Sequence, residues 1–371
     1  MAAPNRLAVA APEPTNLLEP PSLVELFVAH PPRGFSSCRI GHAGASLPGF
    51  VADFDVTTTL DPPFKKAVDV LPARLRRALR LRTLFGGTTV SEYLPMPRGA
   101  DPGELVAAAL DEAARVDAKL AILKDIPRAS PLLGAEENEA AAELREACRW
   151  HGFVIVSGQA LAWVPIDFDG EADYLRRLSH ARRRDLRRKL RSRPALGIEE
   201  LSTGDRAFTN QTLLDELVAL YRNVYAQSLV HFDELTPAFL RALFAAEDGV
   251  VFLYRLNGAL IGFNLCFVHR DCLVDKYVGF AYPQARDANL YFVSWFHNLD
   301  WARRHRLRAY VAGWTDPEVK RSLGATFTFT DHAVYVRSAA LRSVLRLTRR
   351  WFESDANWAP SAEPRTSAQG V

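Results

Sequence analysis

The sequence has 371 residues, of which 48% are hydrophobic and 24% charged, and these values exclude a fibrous or largely disordered chain. A chain of this length favours two domains of about 100 to 200 residues each. No stretch approaches the roughly 18 apolar residues that cross a bilayer, and prolines interrupt the N-terminus where a secretory signal would be apolar. We therefore expect a cytoplasmic protein without a transmembrane segment.

The four cysteines, Cys38, Cys148, Cys266 and Cys272, lack the close paired spacing of a zinc site. Cys266 and Cys272 flank a predicted turn, so a cross-strand disulfide is one interpretation, but buried reduced thiols fit a cytoplasmic chain better. The sequence therefore predicts no metal site and no redox role.

The first half of the chain alternates strand-like and helix-like segments. Residues 1–22 are rich in proline and alanine without apolar periodicity, which predicts disorder. A helix is expected to open at Asp101-Pro102, because aspartate caps helices and proline suits the first turn. The predicted elements are a strand-type run from Arg82 to Leu94, the helix through Ala118, a strand from Lys119 to Lys124, a helix from Glu136 to Trp150, and strands at Phe153–Val156 and Leu161–Val164.

The segment from Tyr174 to Arg193 contains ten arginines and lysines and a single acidic residue. This segment carries +9, so the rest of the chain, whose total is +3, carries −6. We interpret 171–194 as a basic linker helix that binds a polyanion, because clustered arginines release counterions and hold phosphates in bidentate fashion. The alternative is a solvated helix whose leucines dock on a sheet. Candidate polyanions are tRNA, an acidic acyl carrier protein or a membrane surface, with contacts at Arg182, Arg183 and Arg184.

The second half gives clearer signals. Asn257-Gly258 lies between two apolar runs, and because both residues tolerate positive φ, the pair is a strong hairpin signal. The predicted elements are a helical stripe from Leu214 to Tyr225, a helix capped at Thr236, hairpin strands at Val250–Leu256 and Ala259–Val268, a third strand at Leu273–Phe280, a helix from Asn289 to Arg306, a strand at Leu307–Val311, a short helix at Pro317–Leu323 capped by Asp316, and a last strand at Thr326–Val336.

The two halves share an order of elements, and this repetition predicts a mixed α/β sheet in two tandem domains. We expect the first domain at 23–170, the second at 195–352, and a disordered tail at 353–371. The halves match in element order and not in residues.

Two segments together resemble a known family. The run from Ala312 to Ala325, AGWTDPEVKRSLGA, resembles the late part of GNAT acyltransferases of the tandem type related to Fem-like peptidoglycan aminoacyltransferases, where a short helix bearing a lysine and then Gly-Ala lead into the last strands. Tyr174-Leu175 through Arg193 is similar to the basic helix that enters their catalytic half. The resemblance implies two GNAT-like halves, with acyl transfer in the second.

One stretch departs from the simpler GNAT acetyltransferases. Their glycine-bearing loop before the long helix lets main-chain N–H groups approach the pyrophosphate of coenzyme A. Here the corresponding stretch, QARDAN, contains no glycine. The residues that would contact a cofactor are Gln284, Arg286 and Asn289. The donor is therefore left open among acyl-CoA, an acylated carrier protein and aminoacyl-tRNA, as a cosubstrate and not as a tightly bound cofactor.

The resemblance implies that the acyl group lies where two parallel strands of the second half separate. Asp275 and Tyr277 interrupt an apolar strand, and the period of two predicts them on one face, with Asp275 as proton acceptor or ammonium holder. The alternative is that Asp275 and Lys276 make cross-strand ion pairs on a half-exposed sheet. Tyr282 is a candidate for protonating the leaving thiolate, and Lys320 for meeting a phosphate or carboxylate.

Two further residues are candidates for binding the substrate, namely Trp314 and His332, although each is equally explained by packing. Taken together, the residues predict an N-acyltransferase that moves an acyl group to a small primary amine by direct attack. The alternatives are an aminoacyl-tRNA-dependent transferase of cell-wall or peptide synthesis, and a non-catalytic GNAT-fold protein that binds a polyanion.

Overall fold

A computed structural model describes residues 14–42, 45–59, 79–228 and 232–349, together with Pro72 and Arg74. The described residues form one mixed sheet of 11 strands in the order β1-β2-β3-β4-β11-β5-β10-β9-β8-β7-β6. Helices cover both faces of this sheet, so the predicted mixed α/β class is confirmed.

The strands are numbered along the chain. They are β1 (Ser36–His42), β2 (Ala45–Asp55), β3 (Arg80–Gly86), β4 (Leu120–Arg128), β5 (Val154–Pro165), β6 (Leu196–Ser202), β7 (Gly249–Leu256), β8 (Ala259–His269), β9 (Cys272–Phe280), β10 (Ala309–Gly313) and β11 (Thr326–Val336).

The helices are numbered in the same way. They are α1 (Pro21–Ala29), α2 (Pro102–Arg115), α3 (Ala135–Trp150), α4 (Glu171–Arg176), α5 (His180–Lys189), α6 (Gln211–Gln227), α7 (Pro237–Ala245), α8 (Gln284–Asp287), α9 (Leu290–Arg304), α10 (Pro317–Ser322) and α11 (Ala339–Thr348). In the described ranges, no helix combines the length and the apolar character that crossing a membrane requires.

The two halves repeat one arrangement of strands. In the first half, antiparallel strands β1 to β3 lead to the parallel pair β3–β4. In the second half, antiparallel strands β6 to β9 lead to the parallel pair β9–β10. The predicted tandem organisation is therefore present in the fold.

The last strand of each half crosses to the other half. Strand β11 pairs with β4 of the first half, and β5 pairs with β10 of the second. The two exchanged strands also pair with each other at the centre of the sheet. The expected boundaries at 170 and 195 therefore do not divide the sheet, because each half needs a strand from the other.

Local sequence explains the clearest elements. Asn257 and Gly258 have φ of 51° and 83°, the conformation that the hairpin turn requires. In β7, residues 251 and 253 face α6 and α7, whereas residues 252 and 254 face α9, as expected for a strand buried on both faces. Asp101 accepts a hydrogen bond from the N–H of Glu104 and caps α2.

Four expectations are corrected by the structure. Residues 14–22, expected to be disordered, include Leu17 and Leu18, which are buried in the sheet's core. Strand β3 ends at Gly86 instead of running to Leu94, and β5 is one strand instead of two. The basic segment 171–194 is two helices and a 3₁₀ turn instead of one helix. Residues 1–13 and 353–371, also expected to be disordered, lie outside the described residues.

The exchanged strand β11 can be tested through Asp331. This buried carboxylate pairs with Arg128 of β4, and with Arg145 Nε of α3 at 3.6 Å from its Oδ2 atom. We expect Asp331→Asn to lower the free energy of unfolding by about 1.5 to 3 kcal/mol, because charged hydrogen bonds are lost from a buried site. Chemical denaturation measures this change.

Hydrogen exchange should also show faster exchange of the β4 amides in this variant. The matched control is Glu146→Gln, which removes an exposed ion pair with Arg149 and should change stability by less than about 1 kcal/mol. Unchanged stability in Asp331→Asn would contradict a structural role for the exchanged strand.

Candidate acyl-transfer site

The parallel strands β9 and β10 separate near the middle of the sheet. Their pairing ends at Val274 opposite Val311, although β9 continues to Phe280. Residues 275–278 are partly accessible, whereas residues 272–274 and 279–280 are buried. The separation therefore opens a cleft inside the sheet, here called the β9–β10 cleft, with one edge of β9 along its wall.

A β-bulge at Lys276 decides which side chains face each side of the cleft. In β8, Leu265 lies opposite Tyr277 and Cys266 opposite Asp275, so Lys276 is the extra residue. The prediction that Asp275 and Tyr277 share a face is wrong, because the extra residue reverses the alternation between them. Asp275 faces α9, while Tyr277 packs in the core under α6 and α7.

Asp275 is surrounded by neutral hydrogen-bond donors. Asn264 donates to both carboxylate oxygens at 3.0 Å, and Asn298 and the Tyr310 hydroxyl each donate to Oδ2 at 2.9 Å. Burial raises the pKa of Asp275, and the hydrogen bonds from Asn264 and Tyr310 oppose that rise. A carboxylate with its oxygens already occupied is a poor proton acceptor, so it is better suited to stabilising a neighbouring cation.

Sequence reasoning missed Asn264, Asn298 and Tyr310. The available signal was an amide inside the apolar run of β8, because a buried polar group needs a partner. Asn298 and Tyr310 gave no such signal, since each lies in an ordinary helical or strand pattern.

Lys320 lies at the inner end of the β9–β10 cleft. It belongs to α10 and is only 5% exposed. Its Nζ donates to the carbonyl oxygen of Gly313, the last residue of β10, at 3.1 Å. Burial lowers the pKa of Lys320 to about 8, against the opposing effect of Asp275, Asp316 and Glu92. An ammonium group has further N–H donors beyond this one bond, and these are available for a ligand.

The outer end of the cleft carries two tyrosines and an aspartate. Asp316 has φ of 53°, and its side chain does not cap α10, so the predicted cap is wrong. Burial raises the pKa of both Tyr282 and Tyr291, and the charge of Asp316 adds to the rise. The guanidinium of Arg286 lies 4.7 Å from the ring centre of Tyr282. Tyr282 is therefore near the cleft entrance, between a cation and an anion.

The turn that corresponds to a pyrophosphate loop is closed on itself. The N–H groups of residues 285–289 all donate to main-chain carbonyls of residues 281–286. Arg286 is held by Gln227 at 2.5 Å, and Asn289 has φ of 51° without capping α9. Gln284, Arg286 and Asn289, predicted to bind a cofactor, therefore offer side chains only and no open main-chain cradle.

Six of the ten basic side chains in the basic segment form ion pairs with acidic residues of the chain. Arg182 is one of them, and it also donates to the carbonyl oxygen of Ser322 at 2.9 Å and to its Oγ at 2.5 Å. Four other arginines have no ion pair or hydrogen bond within the part of the chain that the structure describes. Spaced along α5 and the turn after it, they form a surface row, here called the arginine stripe: Arg183, Arg184, Arg187 and Arg191.

The two segments that carried the resemblance contact each other. The hydroxyl of Tyr174 donates to the carbonyl oxygen of Leu323 at 2.5 Å. Gly324 has φ of 100°, and a Cβ at that position would approach the Tyr174 hydroxyl to 2.7 Å. Glycine is therefore required both by its backbone conformation and by the close approach. This contact fixes α10, and with it Lys320, against α4.

The first half has a corresponding gap where the parallel strands β3 and β4 separate, and the chain itself fills it. The Lys124 ammonium donates to the carbonyl oxygen of Thr88 at 2.7 Å. The N–H of Leu94 donates to the carbonyl oxygen of Asp125 at 2.9 Å. Residues 88–94 thus occupy the space where β3 and β4 separate. Of the two gaps, the one between β9 and β10 is the open one.

The structure separates the two residues predicted to bind substrate. Trp314 follows Gly313 at the end of β10 and packs against the core cluster that contains Val274 and Val311. His332 lies where β11 pairs with the first half, and its Nδ1 accepts the N–H of Asp125 at 3.1 Å. His332 therefore faces the first half instead of the β9–β10 cleft.

Residues 180–321 match the family model of the acetyltransferase (GNAT) domain. The chain contains a GNAT domain. This domain holds the arginine stripe, the β9–β10 cleft and Lys320, and the resemblance seen in the sequence is confirmed. No curated protein matches the chain in sequence.

Solved structures resemble this chain over nearly its whole length. The C-terminal domain of a putative lysylphosphatidylglycerol synthetase from Agrobacterium fabrum is 14% identical, with a TM-score of 0.51, covering 89% of this chain and 90% of that one. L-PGS from Bacillus licheniformis is 10% identical, with a TM-score of 0.52 and coverage of 92% and 98%. FemX is 12% identical, with a TM-score of 0.49 and coverage of 88% and 98%. The first two likenesses support the fold alone.

The Tyr174–Gly324 contact predicts a specific pattern of stability. Gly324→Ala should lower the free energy of unfolding by about 1 to 3 kcal/mol, because a Cβ is forced into a positive-φ position against a hydroxyl. Tyr174→Phe removes that hydroxyl, so the double variant should lose less than the sum of the single variants. Gly170→Ala, with open space around the new Cβ, is the control. Strict additivity in the denaturation cycle would contradict the contact.

Proposed function

We propose that this chain is an N-acyltransferase that moves an acyl group from an activated donor, an acyl-CoA or an acylated carrier protein, to a primary amine. The observation that carries the proposal is the buried ammonium of Lys320 at the inner end of an open cleft in a GNAT domain. A fixed cation in such a cleft suits a reaction in which a carbonyl oxygen becomes negatively charged.

In this mechanism the donor lies along the open edge of β9 with its carbonyl oxygen toward Lys320. The amine nitrogen attacks the carbonyl carbon, and the ammonium stabilises the oxyanion of the tetrahedral intermediate. Collapse of the intermediate forms the amide and breaks the bond to the carrier. We assign Tyr282, at the cleft entrance, the role of giving a proton to the departing thiolate or alkoxide.

Asp275 acts through Lys320 in this scheme. Its carboxylate is held by the two asparagines and Tyr310, and its charge favours the protonated form of Lys320. Asp275 is therefore a positioning residue and not the base. No covalent intermediate is proposed, because burial raises the pKa of the Cys266 thiol, 3.6 Å from Asp275, well above its usual range.

The donor is proposed to arrive on a polyanionic carrier. The closed turn at residues 281–289 offers no main-chain cradle for a pyrophosphate, and the arginine stripe offers unpaired guanidinium groups on α5, which packs against the first turns of α9. These two observations favour an acylated carrier protein over free acyl-CoA. They equally support the second candidate, an aminoacyl-tRNA-dependent transferase, which ribonuclease treatment of the donor would distinguish.

Lys320→Met should reduce kcat about 100- to 1,000-fold at pH 7, because the oxyanion loses its cation. In the wild type, kcat should fall as the pH rises through about 8, since the ammonium is present below its pKa and is lost above it. Lys320→Arg should keep partial activity without that fall, because arginine stays protonated. Mass spectrometry of amide formation, with the donor first identified by native mass spectrometry, provides the measurement.

The control for Lys320 is the exposed Lys119, whose change to Met should leave kcat unchanged. Full turnover of Lys320→Met would remove Lys320 from the mechanism. A fall in kcat at the same pH in Lys320→Arg would assign that titration to another group.

The arginine stripe predicts salt-dependent binding of the carrier. Changing Arg183 and Arg187 to Glu should weaken binding of the acylated carrier protein or charged tRNA at least tenfold at about 50 mM salt and flatten its salt dependence, because the counterions released on binding are fewer. Arg98→Glu, also exposed but outside the stripe, is the control. Salt-independent binding that survives the double change would exclude the stripe as the carrier site.

A further inference from the structure

A buried ion cluster lies on the opposite side of β9 from Asp275. The ammonium of Lys276, the bulge residue, contacts Glu92 Oε1 at 2.7 Å and Glu19 Oε1 at 3.5 Å. Glu19 comes from the segment before α1, and Glu92 from the loop that fills the gap of the first half. Their side chains are 0% and 2% exposed, so three distant parts of the chain bring charged groups into the core.

This cluster holds two carboxylates and only one ammonium. Glu19 Oε1 also accepts the N–H of Glu92 at 2.7 Å. The second oxygen of each carboxylate, Oε2, is buried without a hydrogen-bond partner among the described residues, and so is the hydroxyl of Tyr277. Buried polar oxygens without partners are rare in folded proteins, since leaving them unpaired costs about 1 to 3 kcal/mol each. The cluster therefore lacks hydrogen-bond donors for these two carboxylate oxygens.

The cluster and the β9–β10 cleft share strand β9. Lys276 and Tyr277 follow Asp275 directly in the partly accessible stretch 275–278, where the Lys276 side chain itself is 7% exposed. The charge of Glu92 also acts on Lys320, so the two sites are within electrostatic range through the cleft. The cluster and Lys320 therefore border the same stretch in which β9 and β10 are no longer paired.

We propose that Glu19 and Glu92 bind the ammonium group of the acceptor and that Glu19 takes its proton. This inference rests on the proposed acyl transfer and names its acceptor subsite, with the chemical class of a primary alkylammonium ion. The unpaired oxygens Glu19 Oε2 and Glu92 Oε2 accept its N–H bonds, and the Tyr277 hydroxyl is a neighbouring polar contact. Lys276 is the positioning residue, because it holds the two carboxylates together.

The chemistry balances with the donor already named. The ammonium gives one proton to Glu19, and the neutral amine keeps its lone pair for attack on the carbonyl carbon of the thioester or ester. The new C–N bond forms, and the C–S or C–O bond breaks with its electron pair on the leaving group. Tyr282 gives its proton to that group, and the proton that the nitrogen sheds restores the Tyr282 hydroxyl. The proton on Glu19 is then released to water.

The pH dependence follows from the groups that face Glu19. Burial raises the pKa of Glu19 to about 7, and the charge of Glu92 adds to this rise while Lys276 opposes it. Tyr93 and Tyr277 also face the carboxyl, and Asp233 acts on Lys276. Because the ionised carboxylate attracts the ammonium, binding of the amine should strengthen as the pH rises through about 7.

The test measures amine binding without any donor. The full chain is titrated with n-butylamine, benzylamine and 1,4-diaminobutane, and with n-butanol and benzyl alcohol as uncharged counterparts, by ligand-observed NMR between pH 5.5 and 8.5. We expect at least one amine to bind at least tenfold more tightly than its alcohol. Glu92→Gln should reduce this preference at least tenfold, and Glu19→Gln should remove the pH dependence.

The matched control is Glu139→Gln, an exposed position on α3, which should behave as the wild type. Thermal melting of each variant verifies that it is folded, and if Glu19→Gln unfolds, Glu92→Gln alone decides. Binding of no amine, equal binding of amines and alcohols, or an unchanged preference in Glu92→Gln would overturn the inference. A purely structural cluster would lower the melting temperature without changing the preference.

The outcomes separate this inference from the proposed function. If Lys320→Met abolishes transfer while Glu92→Gln leaves amine binding intact, the acyl transfer stands and the acceptor subsite fails. If amines bind as expected but no donor is turned over, the subsite stands and the acyl transfer fails.

Discussion

The loss of pairing between β9 and β10 after Val274 is the constraint on which the site depends. In the paired stretches of the sheet, the main-chain groups of neighbouring strands satisfy each other. Where the two strands separate, the buried Lys320 can donate a hydrogen bond to the Gly313 carbonyl oxygen. Acidic side chains can approach the same stretch of β9 from both faces of the sheet. The bulge at Lys276 adds to this effect, because the extra residue turns Tyr277 away from the face that Asp275 occupies.

The position of Lys320 depends on contacts remote from the cleft. Helix α10 is only 6 residues long, and so short a helix is not stable alone. Its C-terminal end is fixed by two hydrogen bonds from the basic segment. Tyr174 donates to the carbonyl oxygen of Leu323, and Arg182 donates to that of Ser322. The same segment therefore has two surfaces: one that holds Lys320 in place, and one, the arginine stripe, that faces solvent. This division explains why Arg182 differs from its neighbours.

Sequence reasoning succeeded where the signal was local. The Asn257-Gly258 hairpin, strand β11 and the helix after Asp101-Pro102 each follow from turn chemistry, periodicity or capping within a few residues. Lys320 was chosen as a candidate because a motif of contiguous residues carries it, and its role stays a prediction.

The failures share a different cause, because they depend on residues far apart in the chain. Glu19 is ordered by Lys276, 257 residues later, and nothing near Glu19 in sequence announces that partner. The bulge that places Asp275 and Tyr277 on opposite faces is set by the register of β9 with β8. The alternation of residues along β9 alone cannot reveal that register. The Asp125–His332 contact likewise exists only because β11 crosses to the first half.

The exchange of β5 and β11 has a consequence for synthesis of the protein. During translation, β4 emerges about 200 residues before β11, so its hydrogen-bonding edge stays uncovered until almost the whole chain has left the ribosome. An uncovered edge invites association with other nascent chains. The residues after β4 must therefore be made quickly or shielded by a chaperone, and slow codons between β5 and β11 would prolong the vulnerable interval.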